Sequence, residues 1–323
     1  MTPRARVFLI VALASVLVSG AVVAGVLATR SSVPSVKPRA GLPSLALDLG
    51  VRTDPEARAL RRAIGLYDAR RPQPRQAGEI FSRYRSLEAE IGAAFAAWPA
   101  GTLERLRTLA ATHPRSSLAA LNLGNALYWS REDGDALNAW RAAARLQPDT
   151  YYAVRATDLL HPRLGPAGLP VFVPSFPEPR GLSGLSPPAQ LAFLRRRAAR
   201  GGAHAKILYG VALQRLYHPR SAEREFAAAA REAPNDPDAR VAAAVGLFDK
   251  ADPSLAFGRL GPLVRVFPKA QTVRFHLGVL LLWSDQLKLA RNELQRAHDA
   301  DPGSVLGKQA AVYLGALRMA GTG

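Results

Sequence analysis

The stretch "LNLGNALYWS", Leu121 to Ser130, sets Gly124 in the middle of an apolar run of helical character. A glycine inside a helix costs about 1 kcal/mol relative to alanine, so its place there demands a neighbour that leaves no room for a side chain. The chain repeats the arrangement. From Gly124, fixed offsets reach Leu127, Ala136, Trp140, Ala143 and Pro148. The same offsets from Gly210 reach Leu213, Ala222, Phe226, Ala229 and Pro234, and from Gly278 they reach Leu281, Ala290, Leu294, Ala297 and Pro302. Small residues let two helices approach, a large one fills the gap beside them, and a proline stops the second helix. Gly124 therefore reads as a helix contact and not as a hinge.

This pattern resembles the tetratricopeptide repeat, whose motif sets a Leu-Gly pair in the first helix and Ala, Phe, Ala and Pro through the second, with a period of about 34 residues. The matching pairs are Leu123-Gly124, Tyr209-Gly210 and Leu277-Gly278. Ile64-Gly65, followed by Ala77, Phe81 and Tyr84, reads as a further copy without the closing proline. Shortened copies follow Gly92 (Leu106, Leu109, Pro114) and Gly246 (Ala256, Leu260, Leu263, Pro268). The tryptophan usual early in the family's first helix is absent from every copy. The resemblance implies an all-α, right-handed α-solenoid of helix-turn-helix repeats across most of residues 55–304.

It also implies that the first helix of each repeat lines a concave surface. Carried over by position, the groove candidates for a protein or peptide partner are Leu121, Asn125, Tyr128 and Trp129, then Ile207, Val211, Gln214 and Arg215, then Phe275, Val279, Leu282 and Trp283. Asn122 and Asn125 are similar to part of the clamp with which some members grip a peptide carboxylate. The companion lysines are missing here, so that clamp is not expected. An apolar groove bearing Trp and Tyr suits a docked helix or an extended peptide.

At the N-terminus, "VFLIVALASVLVSGAVVAGVLAT", Val7 to Thr29, carries no charge. About 20 apolar residues cross a ~30 Å hydrocarbon core, so residues 1–30 are expected to be a transmembrane anchor or signal segment, meeting the membrane through residues 7–29. Arg4 and Arg6 sit on a very short flank, which favours a single pass with the C-terminal domain outside the cytoplasm. Residues 31–54 are rich in Pro, Ser and Gly and read as a flexible tether. A first repeat block is expected over 55–150, a Pro/Gly-rich insert with a helix over 151–202, and a second block over 203–303. Residues 304–320 read as a capping helix with one polar face. Within the insert, Val171, Phe172, Val173 and Phe176 are too apolar for a linker. They are expected to pack onto the protein, either bridging the blocks or filling the groove like a bound peptide.

With 48% hydrophobic residues the chain can bury a large core, while Lys+Arg 43 against Asp+Glu 25 leaves a formal charge of +18. Arg195, Arg196, Arg197 and Arg200 form its most concentrated basic patch. The absence of cysteine excludes disulfides, thiolate nucleophiles and zinc-thiolate sites. His113, His161 and His218 each precede a proline, and His204, His276 and His298 stand alone, so no metal site is expected. No phosphate-binding loop, dinucleotide fingerprint or nucleophile elbow occurs. The run Arg131-Glu132-Asp133-Gly134-Asp135 lacks calcium-loop spacing and reads as the turn between helices. No enzymatic activity, catalytic residue or cofactor is expected. The functional expectation is a membrane-anchored scaffold or adaptor for protein partners at the bacterial cell envelope, in an assembly or chaperone-like role. Two alternatives stand beside it: a binder of anionic polymer or nucleic acid, with nucleic acid the less expected partner, and a self-associating array or homo-oligomer.

Overall fold

The computed structural model describes residues 39–319. The apolar segment 7–29 and the first part of the expected tether lie outside the described residues. The described residues divide into two compact units between residues 160 and 161, and among them the regular elements are all helical. The first unit holds α1 (Pro55–Tyr67), α2 (Pro74–Phe81), α3 (Leu87–Ala96), α4 (Thr102–Thr112), α5 (Ser117–Trp129), α6 (Asp133–Leu146) and α7 (Tyr151–Leu160). The second holds α8 (Pro187–Ala199), α9 (Ala203–Arg215), α10 (Pro219–Glu232), α11 (Pro237–Val245), α12 (Ser254–Leu260), α13 (Leu263–Val266), α14 (Gln271–Trp283), α15 (Leu287–Ala300) and α16 (Val305–Met319). Within each unit consecutive helices pack on one another, most extensively α5 on α6, α9 on α10 and α14 on α15.

Local chemistry sets the helix starts. Asp54, Ser86, Ser116 and Asp236 cap α1, α3, α5 and α11 by accepting first-turn amides, and proline opens α1, α2, α8, α10 and α11, where its missing N–H costs nothing. Each full repeat then closes its glycine against a large side chain. A Cβ on Gly124 would stand 2.5 Å from Trp140, one on Gly278 2.7 Å from Leu294, and one on Gly210 closer still to the Phe226 ring. Ala136, Ala143, Ala222, Ala229, Ala290 and Ala297 are wholly buried beside them, and Pro148, Pro234 and Pro302 follow the ends of α6, α10 and α15.

The turn between paired helices carries a signature that sequence spacing does not show. Arg131, Tyr217 and Asp285, each seven residues after a repeat glycine, all adopt left-handed backbone with φ of 70°, 58° and 59°. The next amide then reaches back to the carbonyl of the repeat leucine: Glu132 to Leu127 at 3.0 Å, His218 to Leu213 at 2.8 Å and Gln286 to Leu281 at 2.9 Å. These bonds satisfy carbonyls that a helix end leaves bare.

Several expectations are corrected. Gly65 faces open space, and Phe81 packs instead against Gly92, where a Cβ would meet its ring at 2.5 Å. Gly246 caps α11, and the second helix of that copy is broken into α12 and α13. Pro262, between them, has no N–H to give to the Gly258 carbonyl. Residues 39–49, expected within a flexible tether, include the buried Leu45, Ala46 and Leu49. The first helix of the expected insert, α7, belongs to the first unit and packs on α6 and α5. The exposed positions of α16, where a polar cap face was expected, mix the cations Lys308 and Arg318 with the apolar Val305, Val312 and Met319. Among the described residues no helix is long and apolar enough to cross a membrane.

Candidate functional site

In the first unit an extended strand of the chain's own backbone lies along α5. Asn122 is fully buried and donates from Nδ2 to the Leu118 carbonyl at 3.0 Å, one turn back. That bond aims its amide outward. Oδ1 then accepts the Ala46 N–H at 2.9 Å, and Nδ2 donates to the Ala46 carbonyl at 2.8 Å. Asn125 donates to Ser44 O at 2.8 Å while its own Oδ1 is fixed by the Trp140 indole at 3.0 Å. Tyr67 donates to Pro43 O at 2.8 Å, and the Tyr152 hydroxyl meets both the carbonyl and the amide of Asp48 at 3.2 Å. Burial holds both phenols far above the ordinary tyrosine range, so they remain protonated donors. At the strand's start, Arg39 donates its amide to Trp129 O at 3.1 Å, lays its guanidinium 3.5 Å over the Tyr128 ring and pairs with Asp133 at 2.9 Å.

The second unit does the same with a different strand. The buried Lys250 donates to Pro166 O at 2.6 Å, the Trp283 indole to Gly168 O at 3.3 Å, and Gln214 to Pro170 O at 3.3 Å while accepting the Phe172 N–H at 2.9 Å. Gly165 passes so close to Trp283 that a Cβ would lie 2.5 Å from its carbonyl oxygen. His276, fully buried, meets Thr272 O at 2.7 Å through Nδ1. A carbonyl only accepts, so Nδ1 carries the proton, and the bare Nε2 accepts the Val173 N–H at 3.0 Å. Burial pushes the His276 pKa down to about 3, which keeps that acceptor available. Phe172 is wholly buried, stacked on His276 at 4.4 Å and near Phe226 at 6.0 Å. Asp238 takes both the amide and the hydroxyl of Ser175, and Phe176 stacks on His204 at 3.9 Å.

Asn122 and His276 occupy the same repeat position, two residues before Gly124 and Gly278. Each donates to the carbonyl four residues back and turns an acceptor toward the N–H of an extended segment. The two units thus hold main chain by one device, executed with different residues.

Among the groove candidates, Asn125, Tyr128, Trp129, Gln214 and Trp283 contact these internal strands, and Arg215 lies 3.9 Å from Glu178. Leu121, Ile207, Phe275 and Leu282 are fully buried, and Val211 and Val279 nearly so, in cores that also take in Ala46 of the first strand or Phe172 of the second. Sequence reasoning missed Asn122, Asp238, Lys250 and His276 as strand-holding residues. Their partners are backbone atoms far along the chain, which leave no motif. Arg195, Arg196, Arg197 and Arg200 lie exposed toward the C-terminal end of α8. Among the described residues no group of three or more His, Asp or Glu side chains could hold a metal ion.

No family model and no curated protein matches the chain. Solved structures similar to it include YrrB, described as a TPR protein with an unusual peptide-binding site, at 16% identity over 65% of this chain and 98% of that one, with a TM-score of 0.32. Yeast Tom70 is similar at 11% identity and a TM-score of 0.30, with 82% of this chain and 54% of Tom70 covered. The C-terminal part of a TPR repeat-containing protein from Cytophaga hutchinsonii is similar at 13% identity, 78% and 98% coverage and a TM-score of 0.29.

Proposed function

We propose that the chain is a non-enzymatic interaction scaffold, anchored in a bacterial membrane through residues 7–29, whose helical units hold extended polypeptide. What carries this is the matched pair Asn122 and His276, which in separate units grip the main chain of an extended segment. Recognition of that kind depends on backbone hydrogen bonds and a few apolar side chains such as Phe172, and so tolerates variety in the sequence held. The chain's own strands 39–49 and 166–176 occupy these positions. A partner's extended segment engages them by displacing one strand, in an assembly or chaperone-like role at the cell envelope.

The test is photocrosslinking in cells, with Tyr128 or Trp283 replaced singly by a crosslinking amino acid and the adducts identified by mass spectrometry. Reproducible capture of one defined foreign protein supports the proposal. Adducts confined to the chain's own strands 39–49 and 166–176 would refute groove binding. For orientation, an alkaline phosphatase fusion after Gly323 is expected to be active, and activity from a cytoplasmic reporter alone would reverse the topology.

A further inference from the structure

The strand over 166–176 is held in two different ways along its length. Its first half gives carbonyls: those of Pro166, Gly168 and Pro170 accept from Lys250, Trp283 and Gln214. Its second half gives amides: those of Phe172, Val173 and Ser175 donate to Gln214, His276 and Asp238. Every residue has a carbonyl, whereas proline has no N–H. Proline accordingly stands at 166, 170 and 174, and at none of the three positions that donate. Two side chains of the second half reach into the helices. Phe172 is 0% exposed against His276 and Phe226, and both nitrogens of that imidazole are engaged, by the Thr272 carbonyl and the Val173 amide. The Ser175 hydroxyl donates to Asp238, which is 3% exposed and whose other oxygen, Oδ1, is buried without a partner among the described residues.

We infer that the second unit selects foreign extended segments by an anchoring phenylalanine. Proline is accepted two residues before it and excluded immediately after it, and serine or threonine stands three residues after it. This selection presupposes the displacement of residues 166–176 proposed above. Phenylalanine fits where tyrosine does not, because a hydroxyl in the Phe172 slot would be shut off from water beside an imidazole whose nitrogens are already engaged. Asp238 rejects aspartate or glutamate at the serine position, since a second acid would be pressed against a buried carboxylate that already lacks one partner. The segments taken are thus apolar, proline-bearing and free of acid at that point. The strand of the first unit buries Leu45, Ala46 and Leu49 and no aromatic residue, so selection by phenylalanine belongs to the second unit alone.

The probe is a fluorescein-labelled peptide with the sequence of residues 166–176, titrated by anisotropy against the full chain in nanodiscs. The chain's own strand, being tethered, competes at high effective concentration, so the titration is repeated with Phe172→Ala in the chain, which removes that strand's anchor. Ser175→Ala, at an exposed residue, takes its place if Phe172→Ala unfolds the unit. Saturable binding is expected, tighter on the altered chain. At saturation the unaltered chain's own Val173 and Ser175 amides are expected to exchange hydrogen faster. Within the peptide, Phe172→Ala, Val173→Pro and Ser175→Asp are each expected to weaken binding about tenfold or more. Ala167→Ser, at an exposed position, is expected to leave it unchanged. If binding quickens that exchange but any of the three substitutions weakens it no more than Ala167→Ser does, the selection falls and displacement stands. Absence of saturable binding to either chain, or binding without faster exchange, overturns displacement and selection together.

Discussion

At Gly210 the closeness of two helices depends on a side chain being only a hydrogen atom. Because a Cβ there would enter the Phe226 ring, Gly210→Ala is expected to destabilise the unit over 161–319 by about 1–3 kcal/mol. Gly315→Ala, in open space, is expected to be neutral or to stabilise by up to about 1 kcal/mol. Urea unfolding of the two variants compares them, and equal effects would remove close approach as the reason for these glycines. The glycines were legible from spacing alone. His276 was not, because a buried histidine whose partners are the Thr272 carbonyl and the Val173 amide looks like any lone histidine in sequence. Its pH behaviour follows from burial. The unfolded chain takes up a proton on this imidazole as pH falls below about 6.5, whereas the folded chain resists until about 3. The unfolded state therefore binds more protons in that window, and stability, fully present above it, declines on acidification by up to about 1.4 kcal/mol per pH unit. His276→Phe, which cannot titrate, is expected to be less stable at neutral pH and to show a flatter profile down to pH ~4. An unchanged slope would assign the acid sensitivity to other groups.

Among the elements, helix pairs could be read from sequence and the strands that line them could not. The run "LPSLALDL", Leu42 to Leu49, looks like linker because its Pro and Ser neighbours break helical period and its alternation is short. What orders it is Asn122 and Asn125 on α5, distant in the chain. Asn122→Ala is expected to cost about 2–3 kcal/mol, since it leaves the buried Ala46 N–H and C=O without partners. Hydrogen exchange should then quicken at Leu45 and Ala46 while the α5 amides stay protected. Retained protection at Ala46 would mean that the apolar contacts of Leu45 and Leu49 suffice to hold the strand. The left-handed turn before α6 was likewise hidden, because arginine, tyrosine and aspartate fill it in the three repeats where glycine would have marked it. Arg131→Val is expected to be about 1–2 kcal/mol less stable than Arg131→Gly by thermal unfolding, a β-branched side chain being the harder one to hold at positive φ.

For the molecule as a whole, the anchor proposed at residues 7–29 has a direct test. If they anchor the chain, it stays in the membrane pellet through an alkaline carbonate wash and leaves only with detergent; release by carbonate would mean that the segment is cleaved or merely associated. The repeat architecture was legible at the three full copies, which restate the same few residues, and less so at Gly65 and across the broken α12 and α13, where that pattern lapses. The filling of its peptide-holding faces from within was open at Phe172, where sequence offered two alternatives, and unseen at Ala46. Both strands also precede the residues that grip them, Ala46 by 76 positions before Asn122 and Val173 by 103 before His276. During synthesis the occupant therefore emerges first and waits, its apolar side chains bare, until the helix that will hold it has been made. A chain that stalls before α14 carries Phe172 without its cradle, and the growing polypeptide is at its stickiest over that interval.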